Sequence, residues 1–415
     1  MKDLFEKMYN DKSPLGKWAN VVEGYFAFPK LEGEISNRMK FQGKEVITWS
    51  VNDYLGLANH PDIRKTDAEA AKLYGSAYPM GARLMSGHTL LHEKLEKELA
   101  EFSNKESAYV LNFGYQGILS TIDSLLGKND VVVYDMDSHA CIVDGVRLHL
   151  GKRFTYKHND ISSLEKNLNR ASKITAHTGG GVLVISEGVF GMRGEQGRLK
   201  EITDLKDKYN FRLLVDDAHG FGTLGATGAG AGEEQGVQDK IDVYFATFAK
   251  ALASTGAFIS SKKEVIDYLK YNMRSQVFAK SLQMQLVVGI LKRLEILRSM
   301  PEIKNKLWEN VNELQSGLKQ RGFDIGSTQS CVTPVYLKGT FQEAMALVKD
   351  LRENHLIFCS IVIYPVVPKG VILLRLIPTA SHNSKDIQET LEAFSIIADR
   401  LNSGIYKKLS ENHKL

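Results

Sequence analysis

Short apolar runs alternate with amphipathic stretches through the middle of the chain. Stretches such as LLHEKLEKELAEF have the helical period, with apolar residues three and four positions apart. The apolar runs are bounded by polar residues or glycine, and they are DVVVYD (130–135), GVLVIS (181–186), FRLLVD (211–216) and VYFATF (243–248). Strands that alternate with helices indicate an α/β domain with a large, mainly parallel sheet.

The C-terminal part of the chain predicts a smaller α+β domain. Residues 282–322 are mostly helical, with a break or kink at Pro301 and a stop signal at Gly322. The runs CVTPVYL and VILLRLIP predict strands, and a helix is expected near 384–402. The predicted organisation is an N-terminal segment, a large domain, a small domain and a polar, frayed tail, over residues 1–60, 61–295, 296–405 and 406–415.

Composition and charge exclude several classes of protein. The chain has 415 residues, a formal net charge of +4 and no dense block of Lys and Arg, so nucleic acid is not its expected partner. No apolar run reaches the ~18 residues of a membrane span, and the N-terminal MKDLFEKMYNDK lacks the apolar core of a secretory signal. The cysteines, Cys141, Cys331 and Cys359, are far apart and fit a reducing compartment. We therefore predict a cytoplasmic protein, with attachment to the inner membrane face left open.

Reactive side chains follow each of the four apolar runs. In open α/β sheets, ligands bind beyond the carboxyl ends of the strands. A single His or Asp there is more often structural, for example a helix cap, and a buried lysine is costly unless it is used. The side chains that follow the runs, in chain order, are Asp135, Asp137, His139, Glu187, Asp216, Asp217, His219, Thr247 and Lys250. Taken together, they predict an active site at one edge of the sheet.

Two alternative chemistries fit this pattern poorly. His139, Asp216 and His219 are possible metal ligands, but the spacing lacks the HExxH helical context and Cys141 has no neighbouring thiolate, so no metal is predicted. The string GFGTLG (220–225) matches the dinucleotide-binding pattern G-x-G-x-x-G. However, the residues DDAH separate it from the strand, and more glycine follows it where a helix is required.

The strings DDAHGFGTLGATGAG and ATFAKALASTGAF resemble the pyridoxal-phosphate enzymes of fold type I, and within them the α-oxoamine synthases. That family includes serine palmitoyltransferase, 2-amino-3-ketobutyrate ligase, 5-aminolevulinate synthase and 8-amino-7-oxononanoate synthase. Further matching strings are VNDYLGLANHP, GARLMSGHTLLHEKLEKELAEF, DSHACIVDG, KHND, SEGVFGMRGE and LLRLIPTASH. They cover about residues 45–385 in family order, and the similarity is greatest to the bacterial serine palmitoyltransferase branch.

The resemblance implies a site for pyridoxal 5'-phosphate. Lys250 would hold the cofactor as a Schiff base and act as the base. Asp216 would pair with the pyridinium nitrogen, His219 would bond to the phenolic oxygen and His139 would stack on the ring. The backbone of Gly114 and Tyr115, together with Thr247, would receive the phosphate. We also expect Glu187 to line the cofactor site.

The resemblance also implies the reaction, a condensation of a small amino acid with an acyl thioester of CoA or acyl carrier protein. Carbon dioxide is lost and an α-amino ketone forms, in a homodimer whose active sites lie at the subunit interface. Arg375 would hold the amino acid carboxylate, Asn52 would orient it and His158 would contact a substrate oxygen. A long-chain acyl donor with serine or cysteate is the first choice, for a sphingolipid-like or sulfonolipid pathway. Glycine with acetyl-CoA and alanine with a pimeloyl thioester stay open.

Two departures from the family pattern lie where phosphate and substrate are expected. Ala249 stands where relatives have Ser or Gly, and Lys280 stands where a hydroxyl reaches the phosphate from the second subunit. We predict that Lys280 lies near an anion, which is the cofactor phosphate, the donor's phosphopantetheine arm or an acidic group of the amino acid. The competing interpretation is a solvated surface lysine. An inactive relative of the family is disfavoured because Asp216, His219 and Lys250 are all present.

Overall fold

The structure, a computed structural model, describes residues 3–9, 13 and 16–412. The described chain divides into two compact units. The large unit is Asn52–Leu307, and the small unit combines Met1–Val51 with Trp308–Leu415. In the part of the chain that the structure describes, no helix combines the length and the apolar character that crossing a membrane requires.

Helices and strands alternate along most of the chain. The strands are β1 Leu31–Glu32, β2 Arg38–Phe41, β3 Lys44–Thr48, β4 Ser107–Leu111, β5 Val131–Asp135, β6 Lys152–Tyr156, β7 Val182–Glu187, β8 Arg212–Asp216, β9 Val243–Thr247, β10 Ala257–Ser261, β11 Thr333–Leu337, β12 Ile357–Phe358, β13 Ser360–Val362 and β14 Ile372–Leu376. The α-helices are α1 Ala19–Val22, α2 Pro61–Tyr74, α3 Leu90–Phe102, α4 Gly114–Leu125, α5 Ala140–Leu148, α6 Ile161–Thr178, α7 Leu199–Asp204, α8 Ala231–Glu234, α9 Lys263–Asn272, α10 Arg274–Val277, α11 Met284–Ser299, α12 Pro301–Gln320, α13 Phe341–Asn354, α14 Ser384–Asn402 and α15 Ile405–Asn412. Short 3-10 turns lie at Glu6–Met8, Gly16–Trp18, Leu57–Asn59, Leu205–Asp207 and Gln238–Lys240.

The large unit is built on one sheet with the order β4-β10-β9-β8-β7-β5-β6 in the described residues. Strands β5 to β9 pair in parallel, and β10 runs antiparallel to both β9 and β4. The predicted apolar runs are β5, β7, β8 and β9, so the mainly parallel α/β fold is confirmed. Strands β4, β6 and β10 have no counterpart among the predicted runs. The sequence of β6, KRFTY, is mostly exposed at the sheet edge, which hides the apolar pattern.

The central strands are buried from end to end, as expected for a sheet covered on both faces. Every residue of β7, β9 and β10 is buried, including the polar ones at their ends. The register places Glu187, the last residue of β7, opposite Asp216, the last residue of β8. Adjacent strands therefore end at the same level and deliver their terminal side chains to one edge.

The small unit joins the two ends of the chain in shared sheets. One sheet has the order β1-β2-β3-β12, in which the C-terminal β12 pairs in parallel with the N-terminal β3. Another has the antiparallel order β11-β14-β13. Trp49, which follows β3, is fully buried and donates a 3.1 Å hydrogen bond to Thr390 Oγ1 on α14. The compact units thus group residues differently from the predicted domains, whose boundaries stay predictions.

The predicted frayed tail is instead mostly helical. Helix α15 continues to residue 412, and residues 413–415 of the tail lie outside the described residues. Tyr406 is buried, and its hydroxyl donates a 2.5 Å hydrogen bond to Asp350 Oδ2. Arg400 pairs with the same carboxylate. This buried contact orders a segment whose composition alone is that of a solvated tail.

A buried guanidinium sits among aromatic rings in the small unit. Arg352, at the end of α13, is 3% exposed and donates hydrogen bonds to the carbonyl oxygens of Tyr25 and Cys359. The guanidinium carbon lies 4.1–5.5 Å from the centres of the surrounding rings, which belong to Tyr25, Phe26, Phe41 and Phe358. Burial lowers the pKa of Arg352. Cation–π contacts and charged hydrogen bonds offset that cost and hold the N-terminal segment.

We expect Arg352→Ala to destabilise the small unit by about 3 kcal/mol or more, because it leaves carbonyl groups without donors and a void among the rings. Urea denaturation followed by tryptophan fluorescence measures this, since Trp18, Trp49 and Trp308 all belong to the small unit. Lys349→Ala, at an exposed position of the same helix, is the control and should change stability by about 0.5 kcal/mol or less. Equal losses in the two variants would contradict the structural role of Arg352.

Candidate active site

The carboxyl ends of the parallel strands carry buried polar residues. Strands β5, β7, β8 and β9 end on Asp135, Glu187, Asp216 and Thr247. All of these side chains are buried. Lys250 follows β9 by three residues and is partly buried. The structure therefore brings the side chains predicted from the separate runs to one edge of one sheet.

Asp216 is a buried carboxylate with few protein donors. Its Oδ1 accepts a 3.1 Å hydrogen bond from the Ala218 amide, and the Cys141 thiol lies 3.9 Å from Oδ2. Burial raises the pKa of Asp216, while the positive charge of Lys250, and that of His139 when it is protonated, act in the opposite direction. A carboxylate in such surroundings is stabilised by a cationic donor. The ring nitrogen of pyridoxal phosphate, in its protonated form, is a donor of this kind.

His139 is held by Glu187 at the end of β7 and by Cys141 in the first turn of α5. Its amide donates a 2.5 Å hydrogen bond to Glu187 Oε1, and its Nδ1 accepts a 3.3 Å hydrogen bond from the Cys141 amide. Because Nδ1 is an acceptor, the neutral ring carries its proton on Nε2. Burial lowers the pKa of His139 and raises the pKa of Glu187 well above its usual value. Glu187 thus positions the backbone of His139 at the start of α5.

His219 is fixed by a tyrosine that the sequence analysis assigns no role. The Tyr54 hydroxyl and His219 Nδ1 are 2.6 Å apart, and both residues are buried. On another side the ring packs against Gly191, where a Cβ atom would lie 2.2 Å from His219 Nε2. Only glycine allows this approach. Tyr54 lies within the matching string VNDYLGLANHP, which was the available signal for a role.

The start of α4 and the end of β9 form a cradle. Helix α4 begins at Gly114 without a side-chain cap, so its first amides can receive an anion. A Cβ atom on Gly114 would lie 3.0 Å from Thr247 Oγ1. The Thr247 hydroxyl donates to the Gly256 carbonyl at 3.0 Å and accepts from the Ala249 amide at 3.2 Å. It would have to rotate from Gly256 to donate to a phosphate.

Tyr115, the second residue of α4, has a half-exposed ring. Its hydroxyl donates to Asp144 Oδ2, and its ring meets the ring of His139 edge-on at 6.1 Å. These contacts involve only the side chain. The amide of Tyr115 lies in the first turn of α4, where the phosphate contact is predicted. The predicted contact to the Tyr115 backbone therefore fits the geometry, and it stays a prediction.

The predicted substrate residues occupy different surroundings. Lys280 is exposed, and its carbonyl oxygen accepts a 2.6 Å hydrogen bond from Asn112 Nδ2, two residues before Gly114. This contact places the Lys280 backbone beside the chain that enters α4. Asn52 begins the large unit, and Arg375 is a partly buried residue of β14 in the small unit. Their roles with substrate stay predictions.

His158 is engaged by protein groups at both ring nitrogens. Nδ1 lies 3.0 Å from Asp135 Oδ1, and Nε2 lies 2.7 Å from Glu195 Oε2. In this geometry neither nitrogen is available to a substrate oxygen. The predicted contact of His158 with a substrate oxygen stays a prediction.

The donor set fits pyridoxal phosphate. The uncapped helix start with its glycine suits a phosphate, the buried Asp216 suits a protonated ring nitrogen, and Lys250 supplies an amine close enough to perturb Asp216 and His139. No group of His, Cys, Asp and Glu in the described ranges has an arrangement that could hold a metal ion. The chemistry that this edge supports is that of a carbonyl cofactor bound by a lysine.

Comparison with known proteins identifies the class. The family described as aminotransferase class I and II matches residues 44–394, and the chain belongs to that family. It is a pyridoxal-phosphate enzyme of fold type I and a transferase of the α-oxoamine synthase kind, which confirms the predicted fold, cofactor and enzyme class.

Individual relatives narrow this further. The chain is 66% identical over 410 residues to a cysteate-C-fatty acyltransferase of Capnocytophaga ochracea, which covers 99% of this chain and 98% of that protein. It is 34% identical to a serine palmitoyltransferase of Bacteriovorax stolpii, over 89% of this chain and 87% of the relative. Among solved structures, a serine palmitoyltransferase from S. paucimobilis with a bound PLP–myriocin aldimine superposes with a TM-score of 0.88. Their sequences are 28% identical, and the match covers 97% of this chain and 100% of that chain.

Asp217, next to Asp216, generates a prediction about pH and stability. Its carboxylate is buried and accepts hydrogen bonds from the Ala231 amide at 2.8 Å and the Tyr244 hydroxyl at 3.0 Å. Burial raises the pKa of Asp217 to about 7. Between an unfolded value of about 3.9 and this folded value, the folded state binds more protons, so stability falls as the pH rises through that window.

Asp217→Asn removes this titration while its side-chain oxygen can still accept both hydrogen bonds. We therefore expect the stability of the native protein relative to Asp217→Asn to fall by about 2 kcal/mol between pH 5 and pH 8. Urea denaturation of both proteins at several pH values measures the difference. Curves that run parallel over this range would show that Asp217 does not titrate there.

Proposed function

We propose that this chain condenses cysteate with a long-chain fatty acyl thioester. The carbon–sulfur bond of the thioester breaks, a carbon–carbon bond forms at the α-carbon of cysteate, and the carboxylate leaves as carbon dioxide. The products are a sulfonated α-amino ketone and the free thiol of CoA or acyl carrier protein. The observation that carries the proposal is 66% identity over 99% of the chain to a cysteate-C-fatty acyltransferase, against 34% to a serine palmitoyltransferase.

The residues of the sheet edge would share the work as follows. Pyridoxal phosphate, when bound, supplies an electron sink for the carbanion at the α-carbon. Asp216 would hold the proton on the ring nitrogen, and His219, fixed by Tyr54, would donate to the phenolic oxygen. His139 would cover the ring as a neutral imidazole. Neutrality matters because a second positive charge beside the ring would weaken the pairing with Asp216.

Lys250 would anchor the cofactor and move the proton. Its Nζ would take the α-proton of the amino acid and later return a proton to the ketone product. The surroundings suit an amine that changes its charge, because Asp216 and Glu187 are buried carboxyl groups that respond to the charge of Lys250. General base catalysis of this kind contributes about 10²–10⁴ in rate.

The assembly and location of the enzyme belong to the same proposal. Lys280 and Ala82 form an isolated β-bridge. Large apolar side chains near this bridge are exposed, namely Met80, Met85 and Phe278. Exposed apolar surface of this kind favours contact with another protein chain. We propose a homodimer that covers this surface and works in the cytoplasm, at or near the inner membrane face.

The decisive experiment compares amino acids and acyl donors. The protein reconstituted with pyridoxal phosphate is titrated with cysteate, serine, glycine and alanine while the visible absorbance is followed. Thiol release is then measured with a series of acyl thioesters that runs from acetyl to long-chain fatty acyl donors. We expect cysteate with long-chain donors to give a kcat/KM at least about tenfold above serine, and Lys250→Ala to lose about 10² or more in rate.

Other outcomes of this comparison would indicate a different enzymatic activity. A preference for serine with a long chain would make it a serine palmitoyltransferase. A preference for glycine with acetyl-CoA or alanine with a pimeloyl thioester would contradict a lipid-forming function. Turnover by Lys250→Ala above about a tenth of the native rate would remove Lys250 from the proposed mechanism, since general base catalysis alone is worth about 10² or more.

Lys280 is the proposed partner of the sulfonate. A charged hydrogen bond is worth about 1.5–3 kcal/mol, roughly ten- to a hundred-fold in affinity. We therefore expect Lys280→Thr to lower kcat/KM for cysteate by at least about tenfold and to leave serine within about twofold. Lys128→Thr is the matched control, because it changes an exposed loop lysine between α4 and the start of β5, at the opposite edge of the sheet.

The variant also distinguishes the competing anions. Weaker retention of the cofactor would indicate a contact to its phosphate, and a raised KM for the thioester would indicate the donor arm. Either result would contradict the sulfonate assignment. If Lys280→Thr behaves like Lys128→Thr in every measurement, Lys280 is a surface lysine.

A further inference from the structure

His158 forms a partly buried bridge between two carboxylates. Both of its nitrogens are within hydrogen-bond distance of a carboxylate oxygen, 3.0 Å from Asp135 and 2.7 Å from Glu195. Phe190 meets its ring edge-on at a centre-to-centre distance of 4.4 Å. With both nitrogens donating, the ring is an imidazolium clamped in a fixed orientation.

The two carboxylates belong to different parts of the large unit. Asp135 is the last residue of β5, is fully buried, and also accepts hydrogen bonds from the Asp137 and Asn159 amides, both at 2.9 Å. Glu195 lies in the turn that follows β7, residues 188–197, which we call the β7 turn. His158 therefore ties the β7 turn to the fixed end of a central strand.

Further contacts hold the same turn to the same edge. Arg193 in the turn pairs with Asp137 at 3.0 Å, and Asn159 Nδ2 donates a 3.0 Å hydrogen bond to the carbonyl of Gln196. Within the turn, Val189 and Gln196 form an antiparallel bridge. The β7 turn is thus a compact hairpin whose outer contacts are made by the segment after β6 and the segment after β5.

The β7 turn packs against the imidazole of His219. At Gly191 a Cβ atom would lie 2.2–2.9 Å from several His219 ring atoms, so the backbone of the turn touches the ring. The Tyr54 hydroxyl lies 2.6 Å from Nδ1 of the same ring. The ring of His219 is therefore held between Tyr54 and the β7 turn. A displacement of the turn would remove one of these two contacts.

We infer that His158, acting through Glu195, is a positioning residue that holds the β7 turn against His219 and so fixes His219 for its contact with the cofactor. The inference rests on the proposed function, because the role of His219 belongs to the cofactor site. It gives His158 a task different from the predicted contact with substrate. It also explains why a histidine saturated by protein groups lies beside an active site.

The charge of the bridge makes it sensitive to pH. Burial disfavours the imidazolium, but the hydrogen bonds to Asp135 and Glu195 outweigh it and raise the pKa of His158 to about 9. Asp137 adds to the negative potential, and its own carboxylate is paired with Arg193. Because the folded pKa is raised above the ordinary value, the contribution of the bridge is complete at low pH and is lost as the pH rises through about 9.

The test compares His158→Gln and Glu195→Gln with the native holoenzyme. Each variant keeps a hydrogen-bonding side chain of similar size and removes the ion pair between His158 and Glu195. We expect the absorbance band of the bound cofactor to shift, and kcat to fall about tenfold with KM for the amino acid within about twofold, since small misplacements cost this much or more. The double variant should be no worse than either single variant, because the two residues act as one unit. In His158→Gln, the dependence of kcat on pH should lose its transition near pH 9.

His149→Gln is the matched control. His149 is a buried histidine of the large unit and hydrogen-bonds the Asp130 carbonyl at 3.1 Å, next to the start of β5 and away from the cofactor edge. It should alter stability without moving the cofactor band. Gly191→Ala should also move the band, because its new methyl group presses on His219 directly.

The outcomes separate this inference from the proposed function. If His158→Gln and Glu195→Gln keep the native band, pH profile and rate while Gly191→Ala changes them, the turn touches His219 but His158 does not control it, and the inference is wrong. If the native protein shows no cofactor band and no turnover with any amino acid, the proposed function itself fails. A band shift in His149→Gln equal to that in His158→Gln would also overturn the inference.

Discussion

Four neighbouring parallel strands end on buried polar residues at one edge of the large sheet, and the site depends on how those groups are compensated. Burying a carboxylate is unfavourable unless it is paired or hydrogen-bonded. Glu187 is satisfied by the amide of His139, and Asp135 by backbone amides and the His158 imidazolium. Asp216 accepts one hydrogen bond from the amide of Ala218, and the Cys141 thiol lies 3.9 Å from its other oxygen. Burial raises the pKa of Asp216, so this carboxylate gains from a cationic cofactor ring.

The protein compensates a partly buried cation, His158, and a buried cation, Arg352, in two different ways. His158 is clamped by carboxylates, whose hydrogen bonds outweigh burial and raise its pKa. Arg352 is enclosed by aromatic rings and backbone carbonyls, and burial lowers its pKa. The imidazolium of His158 loses its charge as the pH rises through about 9, whereas the guanidinium of Arg352 keeps its charge at every physiological pH. The titratable bridge lies beside the active site, and the permanent charge lies in the core of the small unit.

The sequence predicts those features that depend on local order and misses those that depend on distant partners. The strands β5, β7, β8 and β9 are apolar runs that end in polar residues, so both the sheet and its reactive edge follow from the pattern. The partners of His158 are 23 and 37 residues away along the chain, and Tyr54 is 165 residues from His219. No periodicity encodes such contacts. The substrate role of His158 therefore rests on the resemblance alone, whereas the contacts of its nitrogens with Asp135 and Glu195 emerge only from the structure.

The proposed selectivity for a sulfonate would set a further physical requirement on Lys280. A fully exposed ion pair in water is worth at most about 1 kcal/mol, which is too little for strong discrimination between cysteate and serine. Lys280 is exposed in the single chain, and the chain around it also exposes Met80, Met85 and Phe278. Covering those apolar side chains in an assembly would remove water from the same surface and strengthen the contact of the lysine with an anion. Substrate selection and subunit association would then depend on one surface, so weakening association should reduce the preference for cysteate before it abolishes turnover of serine.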